Sequence, residues 1–164
     1  MKAEIIAVGT ELLLGQIVNT NAQIISKALQ QIGIDVYFHT CVGDNQERLM
    51  SVLETGFNRS DIIILTGGLG PTKDDLTKET VATFFNLPLN VDEGSLSDIK
   101  RYFAERGRPI TQNNYKQALV PQGALALKNK VGTAPGILLN KDGKIIIMLP
   151  GPPREMEVML KGEV

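Results

Sequence analysis

The chain has 164 residues, with 17 Lys and Arg against 18 Asp and Glu, a net charge of −1, one His and one Cys. That length can bury a core without disulfides, the 43% apolar share excludes wholesale disorder, and the balanced charge excludes a surface that coats polyanions in general. Cys41 and His39, each alone of its kind, cannot build a zinc centre from nitrogen and sulfur ligands or a Ser–His–Asp triad with a spare base. Catalysis, if present, must then use carboxylates, hydroxyls, backbone amides and an oxygen-bound metal.

The chain opens with Glu4 ahead of Ile5-Ile6-Ala7-Val8, a run that stops at Gly9. It is too short and too acidic for a signal peptide, no stretch approaches the roughly 20 apolar residues of a membrane span, and a single unpaired cysteine fits a reducing cytoplasm. Cys41 is expected to be a small buried hydrophobe, with His39 equally structural. Two further short β-branched runs follow, Val36-Tyr37-Phe38 and Ile62-Ile63-Ile64-Leu65. Between them, Ile25, Ala28, Leu29 and Ile32 form one helical stripe and Leu49, Val52, Leu53 and Phe57 another. Asn19-Thr20-Asn21 and Asp44-Asn45 start these helices, and Gly33 stops the first. Strand and helix in alternation at this spacing predict a parallel sheet wound by right-handed crossovers.

Further helices are predicted from Asp74 to Phe85, from Leu96 to Arg106 before Gly107, and from Asn114 to Leu119. Gly136 to Asn140 and Lys144 to Leu149 flank Asp142-Gly143, a hairpin signal. Pro153 then suits the first turn of a closing helix through Met156, Met159 and Leu160. No repeat or linker interrupts the chain, which reads as one domain over 1–164.

Chemistry is concentrated at the predicted strand ends. Thr66-Gly67-Gly68-Leu69-Gly70-Pro71-Thr72-Lys73-Asp74-Asp75 follows the most apolar strand and precedes a helix, where open α/β sheets bind ligands. The amides of Gly67, Gly68 and Gly70 suit phosphate oxygens, although the loop is neither a Walker A motif nor a dinucleotide fingerprint. Carboxylates beside a phosphate repel it unless a divalent cation stands between them. One of these aspartates, or Thr72, equally suits a helix cap with the other favouring the helix dipole; Asp74 is expected to be the capping or solvent residue and Asp75 the functional carboxylate. Glu11 after the first strand and Asp44 after the second fall at the same sheet edge, although a solvated charge and a helix cap explain each of them singly.

These residues also carry a resemblance. Gly9 to Gly15 with Asn19-Thr20-Asn21, Val42 to Asn45, Thr66 to Asp75, Asn114 to Ala118 with Pro121, Val131 to Gly136 and Leu149 to Met156 resemble motifs of the competence/damage-inducible CinA family over essentially the whole chain. The resemblance implies a three-layer αβα fold with a mostly parallel sheet, shared with molybdopterin-binding proteins of the MoaB/MogA type. In the molybdopterin branch it implies magnesium-dependent nucleotidyl transfer, with Asp75 and Asp44 at the functional aspartates. In the CinA branch it implies metal-dependent hydrolysis of the ADP-ribose pyrophosphate to AMP and ribose 5-phosphate. Leu69, where Thr is usual, and Thr10, where Asp is common, depart from the molybdopterin pattern.

On that basis the expected site has Asp75, Asp44 and Glu11 as catalytic carboxylates, with Asp75 and Glu11 on a divalent cation of the Mg, Mn or Co type. Thr66, Gly67, Gly68, Gly70, Asn21, Gly151 and Arg154 are expected to hold substrate, Arg154 being equally a solvent-facing first-turn residue. Asn113, Asn114 and Lys116 are candidates for a base or ribose. The expected partner is an ADP-ribose-like nucleotide. A homo-oligomer is expected from relatives, and no nucleic-acid or membrane partner. Adenylyl transfer to a pterin, or nucleotide and pterin binding without turnover, are the competing readings. CinA proteins usually carry a further C-terminal amidohydrolase domain, so a fragment or a short stand-alone relative is expected.

Overall fold

The computed structural model describes all 164 residues and contains one six-stranded sheet, one two-stranded ribbon and seven helices. In chain order the elements are β1 (Lys2–Val8), α1 (Thr10–Leu13), α2 (Thr20–Gln31), β2 (Asp35–Val42), α3 (Gln46–Arg59), β3 (Ile62–Thr66) and α4 (Thr77–Phe84). They continue with β4 (Leu89–Val91), α5 (Glu93–Ala104), α6 (Gln112–Gln117), β5 (Leu119–Pro121), β6 (Leu125–Leu127), β7 (Gly136–Lys141), β8 (Lys144–Leu149) and α7 (Pro153–Gly162).

The main sheet runs in the order β2-β1-β3-β8-β7-β6. Its first four strands are parallel, and β7 and β6 add an antiparallel margin. Strands covered on both faces read as continuous apolar runs, and period-2 alternation sorts their side chains into two layers. Ile6, Val8, Ile63, Leu65, Ile146 and Met148 face α3 and α4 with Leu49, Leu53 and Val81. Ala3, Ile5, Ile62, Ile64, Ile147 and Leu149 face α2 and α7 with Ile25, Leu29, Met156 and Met159. This is the expected three-layer αβα arrangement. The hairpin turn also forms as predicted, with Asp142 at φ 52° and Gly143 at φ 77° supplying the two positive angles of a tight two-residue connection.

Three expectations are corrected. The helix predicted from Asp74 begins at Thr77, because the Asp75 carboxylate is used inside the preceding loop rather than as a cap. The helices predicted from Leu96 and Asn114 begin earlier, at Glu93 and Gln112, because the Asp92 carboxylate accepts from Ser95 N at the first and Asn114 Oδ1, within the second, accepts from Thr111 N and Oγ1. Cys41 and His39 are exposed rather than buried, because β2 is the edge strand and at this margin they meet only polar side chains at α2, Asn19 and Ser26, instead of its apolar stripe. His39 meets only Ser26, with Oγ and Nε2 2.9 Å apart.

At the opposite end of β1 from the pocket described below, Glu4 is fully buried yet fully paired. Arg59 donates to its two oxygens from Nε and Nη2, each at 2.8 Å, and Thr40 Oγ1 donates to Oε1 at 2.9 Å. This bidentate pair explains an acidic residue inside an apolar strand and accounts for its charge without a functional role. No helix is long and apolar enough to cross a membrane.

Candidate functional site

Parallel strands deliver their following loops to one end of the sheet, and there β1, β2, β3 and β8 surround a pocket of about 630 Å³. Its lining includes Glu11, Asn21, Asp44, Thr66, Gly67, Gly68, Gly70, Asp75 and Gly151, nine of the ten residues expected from sequence. Arg154 is exposed and outside the lining. Met156, Met159 and Leu160 turn α7 onto the core, and steps of about 100° per residue carry position 154 to the outer side, whereas Glu155 reaches the pocket. Asn114 lines an adjoining cleft, and Asn113 and Lys116 line neither cavity.

The glycine loop is held by its own contacts. Gly67 has φ +95°, donates its N–H to Leu149 O at 3.0 Å, and lies so close to β1 that a Cβ would fall on the Val8 carbonyl oxygen. Thr77 Oγ1 donates back to Gly67 O at 2.8 Å. The Asp75 carboxylate accepts from Gly70 N at 2.8 Å, Thr72 N at 2.8 Å and Thr72 Oγ1 at 2.6 Å, closing the loop into a ring. The expected use of all three glycine amides on phosphate is thereby corrected. Gly67 and Gly70 spend theirs on the fold, while Gly68 and Leu69 have N–H groups that meet no protein acceptor.

The neighbouring loops are fixed similarly. Asp44 accepts from Thr10 N at 2.9 Å and from Thr10 Oγ1 at 2.8 Å, tying α1 to the end of β2, while Asn45 caps α3 by accepting from Arg48 N at 3.0 Å. Asn21 is buried and donates from Nδ2 to Gly151 O at 2.8 Å, but its Oδ1 has no partner. An orphan acceptor of this kind at a pocket wall is a place for a ligand donor. The Glu11 carboxylate makes no hydrogen bond or ion pair with the protein and extends over Gly9.

The electrostatic character of the pocket is one-sided. Glu11, Asp44, Asp74, Asp75 and Glu155 line it, and no Lys or Arg does. No group of three acids, histidines or cysteines closes into a ready-made metal cage. Leu12, Ile17 and Val18 add an apolar wall, with Ile17 and Val18 exposed. This wall, together with Gln117, Thr133 and Glu155, escaped the sequence reading. Leu12, Gln117, Thr133 and Glu155 stand inside the resemblance motifs, which could have pointed to them, but the apolar stretch after Gly15 has no periodicity that would place it.

Lys78, in the first turn of α4, is buried and donates from Nζ to Lys116 O, joining α4 to α6. Burial lowers its pKa to about 8, with Glu79 and Asp75 partly offsetting the effect. Between about pH 8 and the ordinary lysine value the unfolded chain holds a proton that the folded chain has released, so stability rises with pH across that window. In urea titrations the wild type should gain about 2 kcal/mol from pH 8 to pH 10.5 relative to Lys78→Met. Parallel pH profiles for the two proteins would contradict this.

Comparison with known proteins follows the same lines. A family model described as a probable molybdopterin binding domain matches residues 4–164. A putative competence-damage inducible protein of Thermoanaerobacter pseudethanolicus is 58% identical over 164 residues, 100% of this chain and 40% of that protein. A CinA-like protein of Dictyoglomus turgidum is 57% identical over 161 residues, 98% of this chain and 39% of that protein. The chain thus spans about two fifths of the length of these curated relatives. The crystal structure of a CinA protein with unknown function from Thermoplasma acidophilum superposes with a TM-score of 0.90 at 38% identity, covering 98% of this chain and 94% of that one. The molybdopterin biosynthesis enzyme MoaB of Thermus thermophilus gives a TM-score of 0.63 at 20% identity over 98% of this chain and 87% of that one, a likeness of fold alone.

Proposed function

The chain belongs to the CinA family, within the wider group described as probable molybdopterin binding domains, and from that premise we propose that the strand-end pocket binds a phosphorylated pterin or nucleotide through a divalent cation. The single observation that carries this reading is the lining of five carboxylates without a Lys or Arg. A phosphate entering such a site meets like charge on every side unless a cation accompanies it.

The donor set fits a hard cation, since every charged group in the pocket is an oxygen ligand. The lack of a complete protein cage fits an ion held by one or two carboxylates and completed by ligand phosphates. Glu11 and Asp74, which make no hydrogen bonds with the protein through their carboxylates, are the residues to hold it, with Asp44 and Asp75 retaining outward lone pairs. The cation would neutralise phosphate charge there. Gly68 and Leu69 offer amide donors to phosphate oxygens, Asn21 Oδ1 accepts from a ring or hydroxyl donor, and Leu12, Ile17 and Val18 cover a planar ring.

Hydrolysis of ADP-ribose has weaker support than binding. Asp44 and Asp75 serve the loops that carry them, and neither the family description nor the relatives' names mention a hydrolase. Calorimetric titration with AMP, ADP-ribose and a reduced pterin phosphate tests the reading. Saturable binding is expected with magnesium present and a loss of at least about tenfold without it. Equal affinity in metal-free buffer would overturn it, and product analysis of the same samples reads any turnover.

A further inference from the structure

Beside the acidic pocket lies a second cavity of opposite character. A cleft of about 570 Å³ shares Pro71 and Thr133 with the pocket and is lined otherwise by Tyr102, Phe103, Arg106, Arg108 and Asn114, with no carboxylate among them. Other bases nearby are neutralised: Lys128 pairs with Asp98 at 2.9 Å and Lys130 with Glu163 at 3.0 Å, and Arg101 also meets Asp98. Arg106 and Arg108 pair with no acid in the chain.

Both arginines stand on a fixed backbone. Gly107, at φ +62°, closes α5 by donating to Ala104 O at 3.0 Å, and Arg108 N donates to Phe103 O at 3.0 Å. This is the paired 5→2 and 6→1 closure that ends many helices, and it sets Arg106 and Arg108 on either side of one left-handed residue. The Arg106 guanidinium lies 3.6 Å from the Tyr102 ring centroid, and its Nη1 donates to Tyr102 O at 3.1 Å. Stacking and that bond orient one face of the guanidinium and leave its remaining N–H groups unused. The wall between cleft and pocket is itself polar, with Gln117 Nε2 donating to Thr133 Oγ1 at 3.1 Å.

We propose that the Arg106–Arg108 cleft is a second anion-binding site that works without a metal, and that it takes the far phosphate or carboxylate of a ligand extending past Thr133 from the acidic pocket. The anion site stands on the two arginines alone, whereas the extended ligand rests on the function proposed above. The two cavities divide the task by chemistry: one needs a cation to accept a phosphate, and the other supplies its own positive charge.

The test is inorganic pyrophosphate titrated into the isotopically labelled chain, in buffer freed of divalent ions by chelating resin. Amide shifts should centre on Tyr102 to Arg108, and affinity should fall about tenfold in Arg106→Gln and in Arg108→Gln. Both side chains are exposed, so the fold should survive. Absence of metal-free binding, shifts confined to the glycine loop, or undiminished binding in both variants would overturn the site. With magnesium restored, Arg108→Gln should weaken a dinucleotide about tenfold and leave a nucleoside monophosphate unchanged. Equal effects on the two would overturn the extended ligand. If no nucleotide binds even with magnesium, the reading of the acidic pocket falls while the pyrophosphate result still decides the cleft.

Discussion

Replacing Gly67 with alanine should cost about 4 kcal/mol or more of stability, read as a loss of folded protein in urea titration. Two effects add at this position. The residue has φ +95°, and the new methyl would fall on the carbonyl oxygen of Val8, with the Gly67 N–H already committed to Leu149 O at 3.0 Å. Three parallel strands therefore meet through this one residue, and space for a methyl can be made only by moving β1 from β3 or breaking the bond to β8. Gly123 provides the control. It has φ +83° and no atom within 4 Å of where a methyl would stand, so Gly123→Ala carries only the cost of a left-handed backbone, about 1–2 kcal/mol. Equal losses in the two variants would show that strand-end contact does not matter.

Asp75→Ala should produce the largest change in binding, about 100-fold or more in magnesium-dependent nucleotide affinity, for a stability loss of only about 2 kcal/mol. The side chain gathers three hydrogen bonds from Gly70 and Thr72 while lining the pocket, so its removal opens the ring that presents the free Gly68 and Leu69 amides. Partial exposure of the loop lets water replace the lost partners, which limits the effect on folding. Asp74→Ala separates charge from architecture. That residue is exposed and holds no loop together, so its stability should stay within about 0.5 kcal/mol of wild type while magnesium affinity weakens. Normal nucleotide binding in Asp75→Ala, measured calorimetrically, would remove the loop from the site.

Much of this arrangement was legible in the sequence, for reasons specific to each element. Ile62 to Leu65 and Ile145 to Leu149 are continuous, Ile-rich apolar runs because both sheet faces are covered, and such runs announce themselves. Asp142-Gly143 and the glycine loop are equally plain, since few other residues accept their backbone angles. What escaped was short or dependent on neighbours. α1 is four residues long, and β4, β5 and β6 are three residues each, too brief for periodicity to register. Val36-Tyr37-Phe38 looks like a buried run, yet it lies on an edge strand, and only the strand order reveals that Cys41 and His39 stand at the open margin of the sheet.

The candidate site followed the same division. Glu11, Asp44 and Asp75 come together because parallel strands bring their ends together, which sequence topology anticipates. Their present partners do not follow from sequence spacing: Asp44 holds Thr10, 34 positions away, and Asp75 turns back on its own loop rather than capping α4. The absence of any base among the lining residues is likewise a property of the assembled pocket. Lys73 follows Thr72 directly but falls outside the lining, and Arg154 lies on the far side of α7.

Manganese titrated into the isotopically labelled chain, with and without a nucleoside phosphate, tests the central claim most directly, because its unpaired electrons broaden amide signals near the bound ion. Weak broadening is expected at Gly9 to Leu12 and Gly68 to Asp75 with the ion alone, and much tighter, saturable broadening at the same amides once nucleotide is added. Nucleotide binding that leaves these signals sharp in the presence of manganese, or broadening centred elsewhere on the chain, would contradict a phosphate site completed by a divalent cation.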